Sequence, residues 1–326
     1  MGISRRHFNI GAATGLVAAA SGGRHAFAQD YPSQDVHFIC AFPAGSGADV
    51  IVRWYAEKLR PIMGRNIIVE NKVGALGNLA TEYVARSKPD GHTIYVHGAG
   101  GIAGNMHLFK KPTIDAAKAI QMAATINKQP TMITVHVNSP AKTIAELTAL
   151  MRQKKDKATY GTSNPNGKVM GALYKEHEKL EVVEVVYRTA SDSLNDMASG
   201  SLDYGVYDNI FSAAQAREGR LRILAVSTPQ RLQSYPEWPT MTEQGVPISL
   251  TAFFSAMVPS ATPRPVVDQI NKMFNQVTAT EDAKKFLNSA ASDPWLTTPD
   301  EAQAALLKEI KDWGDYVRIA KIEPQG

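Results

Sequence analysis

The sequence lacks the features that several classes of protein require. One cysteine among 326 residues excludes an internal disulfide framework and a zinc site built from several thiolates. No apolar run approaches the roughly 20 residues that a membrane-spanning helix needs. With 44% hydrophobic and 20% charged residues, the composition is neither that of a disordered chain nor that of a coiled coil. The chain is therefore predicted to be globular, with enough length for two lobes.

The sequence also has little net charge once its first segment is set aside. The formal charge is +4, from 35 basic and 31 acidic residues. The first 28 residues contain three arginines (Arg5, Arg6 and Arg24) and no acid, so 32 basic residues face 31 acidic ones in the remainder. A nearly neutral protein has no general attraction for nucleic acid or for an anionic membrane surface.

Residues 1–28 are predicted to be an export signal. A charged start precedes the weakly apolar run from Ile10 to Ala20, and Ala26-Phe27-Ala28 fits a cleavage site of the A-x-A type. The letters S-R-R-H-F from Ser4 resemble a twin-arginine motif, although positions 9 and 10 depart from it, so the general secretory route stays open. We expect cleavage near Ala28 and a periplasmic mature protein.

Two successive series of strands and helices predict an α/β fold with a largely parallel sheet in its first part. The series restarts near Thr131, and a mainly helical tail begins at Pro263. We predict lobe I at 29–130 plus 251–326 and lobe II at 131–250, joined around 127–130 and 247–254, with a ligand cleft between them. Strands are predicted at 36–42, 67–70, 93–97, 132–137, 160–163, 182–187, 204–207 and 221–227.

Polar loops that contain glycine follow most of these strands. Ligands of open α/β sheets bind outside the carboxyl ends of strands, glycine allows close backbone approach, and helix N-termini favour anions. We therefore expect these loops to converge on one rim of the cleft. The loops are 45–47, 74–78, 98–104 and 162–167.

The sequence contains only partial motifs of enzyme active sites. Gly98-x-Gly100-x-x-Ala103 follows a predicted strand, as in a dinucleotide site, but no acid lies near the end of the next strand. Ser46 and Ser163 occupy sharp turns outside any G-x-S-x-G pattern. An exported α/β enzyme, nicotinamide-dependent or a serine hydrolase, remains the alternative function. No histidine pair has metal-ligand spacing, no cofactor is predicted, and Cys40 is expected to be a buried, inert thiol.

Taken in order, the loops resemble those of one receptor family. The sequence has F-P-A-G-S-G-A-D from Phe42, V-E-N-K-V-G-A-L-G-N from Val69, P-D-G-H-T from Pro89, G-T-S-N-P-N-G from Gly161 and S-L-D-Y-G-V-Y-D-N from Ser201. These segments are similar to motifs of the substrate-binding proteins of tripartite tricarboxylate transporters, also called Bug receptors. Further matches occur near Leu221 and Pro236, so the resemblance covers the chain after the signal.

The resemblance implies a two-lobed periplasmic binding protein of type II that is not an enzyme. Such a receptor captures a small organic carboxylate and delivers it to the membrane components of a tripartite carrier, and we expect it to be a monomer. Backbone N–H groups of the glycine-rich turns would hold the carboxylate. Carried over by position, the ligand-binding residues are Ala44, Gly45, Ser46, Gly77, Asn78, Gly98, Ser163, Asn166, Arg188 and Asp208.

The sequence departs from the family pattern at two site-facing turns. Ala44 and Ser46 replace a proline and a glycine of the first loop, and the letters Y-R-T-A from Tyr187 replace Y-K-G-G. The motifs leave open whether the carboxylate is aliphatic, aromatic or an amino acid. They also leave open whether the receptor serves transport or signalling.

Overall fold

The computed structural model describes residues 31–326. The predicted export signal and its cleavage site near Ala28 lie outside the described residues. Within residues 31–326, no helix is both long and apolar enough to span a bilayer.

The first part of the chain forms a sheet whose parallel strands carry helices on both faces. β2, β1 and β3 lie side by side and parallel, and β9 joins β3 in the antiparallel direction. The prediction of a largely parallel sheet therefore holds for the first three strands. The elements of this part are β1 Val36–Cys40, α1 Gly47–Met63, β2 Ile67–Asn71, α2 Asn78–Ala85, β3 Thr93–Gly98, α3 Ala99–Leu108 and α4 Ala116–Ala119.

The segment 98–104, predicted as a glycine-rich loop, is instead a helix. Gly98 is the N-cap, and α3 runs through a mostly buried stretch to Leu108. Its glycines allow close packing against the last helix: a β-carbon at Gly104 would lie 3.0 Å from the Trp313 ring. Helix contact, rather than loop flexibility, explains the glycines, and this is why the loop prediction was wrong.

The strand β4 belongs to both sheets. From Ile120 to Pro130 it pairs with β9, and from Thr131 it pairs with β7 and β8. This change of partner falls at the predicted boundary at residue 131 and supports it, so we retain the two-lobe division as a proposal. The elements that follow are β4 Ile120–His136, α5 Ile144–Lys154, β5 Thr159–Thr162, α6 Pro165–Glu178, β6 Val183–Val186, α7 Leu194–Ser199, β7 Tyr204–Asp208, α8 Asn209–Arg217 and β8 Leu221–Val226.

The tail adds a strand that the sequence analysis does not predict. β9 and the first half of β4 are almost wholly buried, so their sequences lack the polar–apolar alternation that indicates a half-exposed strand. Between 247 and 254 the sequence predicts only a junction between the lobes. The elements of the tail are β9 Thr251–Pro259, α9 Arg264–Thr278, α10 Glu281–Ser289, β10 Asp293–Pro294 and α11 Pro299–Ile319.

The helix α11 contributes to two hydrophobic cores. Ala302 and Leu306, in its first half, pack with β3 and α3 residues of the first sheet. Trp313 and Val317, in its second half, pack with the core built on β5, β7 and α6. The tail was expected to return to lobe I alone, whereas α11 lies across the junction of the two sheets. The middle of α11 is thereby placed beside the predicted cleft.

Candidate functional site

The loop after β1 is closed by a carboxylate in the first turn of α1. Asp49 is only 1% exposed and accepts hydrogen bonds from Gly45 N (2.8 Å), Arg53 Nε (2.8 Å) and Asn71 Nδ2 (2.7 Å). Ser46 is the N-cap of α1, and its Oγ accepts the N–H of Asp49 at 3.3 Å. The amide of Gly45 thus already has an acceptor, and Asp49 holds the loop in shape.

The charge of Asp49 is stabilised by these donors. Burial by itself raises the pKa of the carboxyl, but the hydrogen bonds from Arg53, Asn71 and Gly45 outweigh it and hold the pKa below its ordinary value. The first-turn N–H groups of Gly47 and Ala48 have no carbonyl partner within α1. These two amides, beside the exposed Ala44, are the donors that the loop offers to a ligand.

The loop before α2 has an unusual backbone. The four residues 74–77 all have positive φ, at 149°, 46°, 53° and 94°. Asn105 of α3 secures them by donating from Nδ2 to the carbonyl of Leu76 and to Oδ1 of Asn78, both at 2.9 Å. A β-carbon at Gly77 would lie 3.2 Å from Nε2 of His97, so glycine is required there for space as well as for conformation. Asn78 thus shapes the loop through its oxygen.

A neutral histidine lies beneath this loop. Burial lowers the pKa of His97 to about 3, so the ring is uncharged at any physiological pH. It stacks on Tyr95 with ring centres 4.9 Å apart and touches Phe42 at 4.8 Å. Its Nδ1 has no hydrogen-bond partner in the described part of the chain. His97 therefore forms an aromatic platform under Gly77 rather than an ionic contact.

The second series of strands contributes the N-terminus of α6. Asn164 is the N-cap and accepts the N–H of Gly167 at 2.8 Å. Ser163 and Asn166 are half-buried on either side of it. The Oδ1 atom of Asn166 is buried and has no hydrogen-bond partner among residues 31–326. An unpaired buried acceptor is costly, so this oxygen is available to a donor from a ligand.

Asp208 and Arg188 have different surroundings. Asp208 is the N-cap of α8 and accepts the N–H of Phe211 at 2.9 Å. Burial raises the pKa of Asp208, against the opposing effect of the α8 amides that point at it. Arg188 is exposed and forms no ion pair within the described residues. It is the one cation among the ten predicted residues.

Helix N-termini from both sheets meet at the predicted cleft. A β-carbon at Gly47 of α1 would lie 3.0 Å from Cδ1 of Ile210, in the first turn of α8. A β-carbon at Gly100 of α3 would lie 3.3 Å from Oδ1 of Asn166 in α6. The structure therefore brings the segments around Ser46 and Asp208 together, and those around Gly98 and Asn166. Among the described contacts, none ties Arg188 to the other nine by a hydrogen bond.

Glu309, which no sequence motif indicates, lies on α11 at the same point. A β-carbon at Gly100 would lie 3.2 Å from its Oε1. Burial raises the pKa of Glu309 to about 8, while an interaction with the Trp313 indole opposes the rise. The available signal was helical spacing: Glu309 lies three residues after buried Leu306 and four before buried Trp313, on the apolar stripe of α11.

Enzyme machinery is not assembled around these residues. Within residues 31–326, no group of three or more histidine, cysteine, aspartate or glutamate side chains could hold a metal ion. Neither Ser46 nor Ser163 is hydrogen-bonded to a histidine in that part of the chain. Gly100 of the partial dinucleotide motif faces Glu309 and Asn166 rather than open space. Cys40 is buried, as predicted, and burial raises the pKa of its thiol.

Comparisons with known proteins agree with the geometry. A family model described as "Tripartite tricarboxylate transporter family receptor" matches residues 51–321. A UPF0065 protein of Bordetella bronchiseptica is 28% identical over 301 residues, which cover 91% of this chain and 89% of that protein.

Two solved structures share the fold. An R. palustris protein solved with adipate has a TM-score of 0.81 and 25% identity, covering 90% of this chain and 100% of that one. The periplasmic binding protein BugD has a TM-score of 0.78 and 25% identity over the same shares of the two chains.

Proposed function

The chain belongs to the tripartite tricarboxylate transporter family of receptors, and from this premise we propose that it binds a small organic carboxylate in the cleft between its lobes. Members of this family are periplasmic solute-binding receptors and not enzymes, which removes the nicotinamide and serine-hydrolase alternatives. We further propose delivery of the carboxylate to the membrane components of a tripartite carrier. The adipate bound by the R. palustris relative supports this ligand class.

One observation carries the proposal: helix N-termini of the two sheets lie close together in pairs, α1 with α8 and α3 with α6. Each helix start presents N–H groups without intrahelical partners and the positive end of a helix dipole. Such ends attract carboxylates without needing a cationic side chain. The contacts between Gly47 and Ile210, and between Gly100 and Asn166, show how close the ends lie.

The ten predicted residues are proposed to divide into two groups. Ser163, Asn166 and the amides beside Ala44 and Gly98 would contact the ligand, and exposed Arg188 would act at the rim. The others would hold the helix ends and loops in place through the hydrogen bonds and backbone described above. These are Gly45, Ser46, Gly77, Asn78 and Asp208.

We propose three further features of this receptor. Residues 1–28 would direct export and be cleaved near Ala28. The mature chain would divide into lobe I at 29–130 plus 251–326 and lobe II at 131–250. It would act as a monomer without nucleic-acid partners, in keeping with its nearly neutral charge.

The proposal predicts that a carboxylate stabilises the purified protein. Thermal unfolding should be recorded with mono-, di- and aromatic carboxylates and amino acids. A ligand present at 100 times its Kd should raise the free energy of unfolding by about 2.7 kcal/mol. Stabilisation by NAD(P) while every carboxylate leaves the melting temperature unchanged would refute the receptor function.

A second prediction concerns Ser163. Its hydroxyl is half-buried at the start of α6 and has no protein partner in the part of the chain that the structure describes. We expect Ser163→Ala to weaken carboxylate binding about tenfold, the loss of one hydrogen bond to a charged group, with little change in stability. Titration calorimetry measures the affinity, and Ser260→Ala, at an exposed residue beyond the end of β9, is the control. Equal affinity in both variants would remove Ser163 from the site.

A further inference from the structure

Two side-chain oxygens from different helices point at the same position on α3. A β-carbon at Gly100 would lie 3.2 Å from Oε1 of Glu309 and 3.3 Å from Oδ1 of Asn166. These two distances limit the separation of the oxygens to about 6.5 Å. One oxygen comes from α11 and the other from α6, so the pair lies where the two sheets meet. Only a glycine on α3 leaves both of them room.

Neither oxygen accepts a hydrogen bond from a cationic side chain among residues 31–326, and the donor that acts on Glu309 is the Trp313 indole. Oδ1 of Asn166 is buried without a hydrogen-bond partner among residues 31–326, and Glu309 forms no ion pair there. Protonated Glu309 can donate one hydrogen bond, but once ionised it and Oδ1 of Asn166 are both acceptors, and a ligand group with several N–H bonds can bond to both. An ammonium group has three such bonds and a positive charge that complements a carboxylate.

The charged residues near Glu309 do not supply that donor. Lys308 is bonded to Asp312 on the same helix, and Arg231 is bonded to Glu243 at 2.8 Å. Glu309 also lines a cavity of about 520 Å³ beside β10. The ionisable groups that line this cavity with it are Lys128, Arg231, Asp293, Lys308, Asp312 and Tyr316. On α3 the ionisable side chain nearest in sequence to Gly100 is His107, and on α6 the one nearest to Asn166 is Lys168.

The predicted site residues together with Glu309 include two acids and one cation. Asp208 and Glu309 are both acids whose pKa is raised by burial, and Arg188 is the one cation among the predicted residues. A ligand with several negative charges would meet these acids. A ligand with one carboxylate and one ammonium would find amides at one end and acceptors at the other.

We propose that the ligand carries an amino group beside its carboxylate, and that Glu309 and Asn166 together receive the amino group. This proposal rests on the proposed function and narrows its ligand class. The carboxylate would bind the helix N-termini of α1 and α6, and the amino group would lie against Gly100. Glu309 is then the residue that distinguishes amino acids from the corresponding plain acids.

Proton release gives the proposal a specific signature. The pKa of Glu309 is about 8 without ligand, so the carboxyl is largely protonated at pH 7. An ammonium beside it favours the ionised form, so binding should expel up to one proton to the buffer. A plain carboxylic acid should not cause this release.

The experiment compares acids that differ only by an amino group. Titration calorimetry at pH 7 should use adipate with 2-aminoadipate, glutarate with glutamate, and succinate with aspartate, each in two buffers of different ionisation enthalpy. We expect at least one amino acid to bind tenfold or more tightly than its partner, with proton release. Glu309→Gln should lose the preference and the proton release but keep its affinity for the plain acid. Asn166→Ala should also lose most of the preference, and the control Asp315→Asn, at an exposed residue of α11, should keep both the preference and the proton release.

The possible failures are distinguishable. If the plain acids bind as well as their amino partners, or if Glu309→Gln keeps the preference, the amino-group proposal is overturned and the receptor function stands. If no member of any pair binds and no other carboxylate stabilises the protein, the receptor function itself fails. Melting curves of all variants show whether a lost preference reflects unfolding.

Discussion

Asp49→Ala should abolish measurable carboxylate binding and lower the free energy of unfolding by about 3–4 kcal/mol. The substitution removes a buried acceptor that holds Gly45 N, Arg53 Nε and Asn71 Nδ2 at once. Hydrogen bonds to a charged group contribute about 1.5–3 kcal/mol each, although neighbouring bonds do not add fully. Without Asp49 the loop before α1 loses its shape, and the amides of Gly47 and Ala48 no longer face the cleft.

Calorimetry and urea unfolding measure the two effects. Arg53→Met is the matched control, because Arg53 is half exposed and its removal leaves Gly45 N and Asn71 Nδ2 bonded to Asp49. That variant should lose less than about 1 kcal/mol and keep its affinity. A small effect of Asp49→Ala, similar to that of the control, would mean that the loop does not depend on this carboxylate.

The same carboxylate predicts an acid dependence. The pKa of Asp49 is lower in the folded protein than in the unfolded protein, where the pKa of an aspartate is about 3.9. Its contribution to stability is therefore complete above that value and is lost as the pH falls through the folded pKa. As the pH falls below about 4, the free energy of unfolding of Asp49→Asn should decrease less than that of the native protein. Urea unfolding midpoints across that pH range measure the difference.

Gly205→Ala should destabilise the protein by about 4 kcal/mol. Gly205 of β7 pairs with Gly161 of β5, and the buried ring of Tyr207 lies across both. A β-carbon on either glycine would overlap Tyr207, on Cε2 from position 205 and on the hydroxyl from position 161. Because the ring is enclosed, it cannot move aside, and the strain falls at the upper end of what an overpacked core costs.

Two further variants, compared by their unfolding midpoints, test whether the overlap with Tyr207 is the cause. Gly219→Ala, at a turn where no atom lies within 4 Å of the added carbon, should cost only about 1 kcal/mol for its positive φ. Combining Gly205→Ala with Tyr207→Leu should cost less than the sum of the single changes, because the smaller side chain relieves the overlap. Full additivity would show that the ring is not the cause.

Local sequence features predicted much of what positions the site. Thr143, Asn164 and Ser46 have the short polar side chains that are typical of helix N-caps, and each caps a helix. The predicted C-terminal ends of the strands agree with the structure within about two residues, whereas β4 begins at Ile120 and not at the predicted residue 132. These features depend on hydrogen bonds over three or four residues, which adjacent letters reveal. The helix at 98–104 was not predicted, because its glycines allow contact with α11, which lies about 200 residues away in the sequence.

The buried strands and Glu309 mark the limit of such prediction. β9 and the first half of β4 are covered on both faces, so neither sequence shows the polar–apolar alternation that indicates a strand. Glu309 belongs to no motif, and its raised pKa exists only because α11 carries it against α3 and α6. Desolvation and partner distance are properties of the packed chain, not of the neighbouring letters.

By itself the sequence determined the absence of a disulfide framework and of excess charge, the α/β order of elements and the glycine-rich turns that resemble one receptor family. Those follow from composition and from hydrogen bonds between near neighbours. Tertiary structure alone decided that Asp49 reaches Asn71, that helix N-termini of the two sheets lie close together in pairs, and that Glu309 and Asn166 converge on Gly100. Each of these joins residues distant in sequence. Asp49 and Asn71 meet because α1 packs beside β2, and the other contacts form because β4, β9 and α11 link the two sheets.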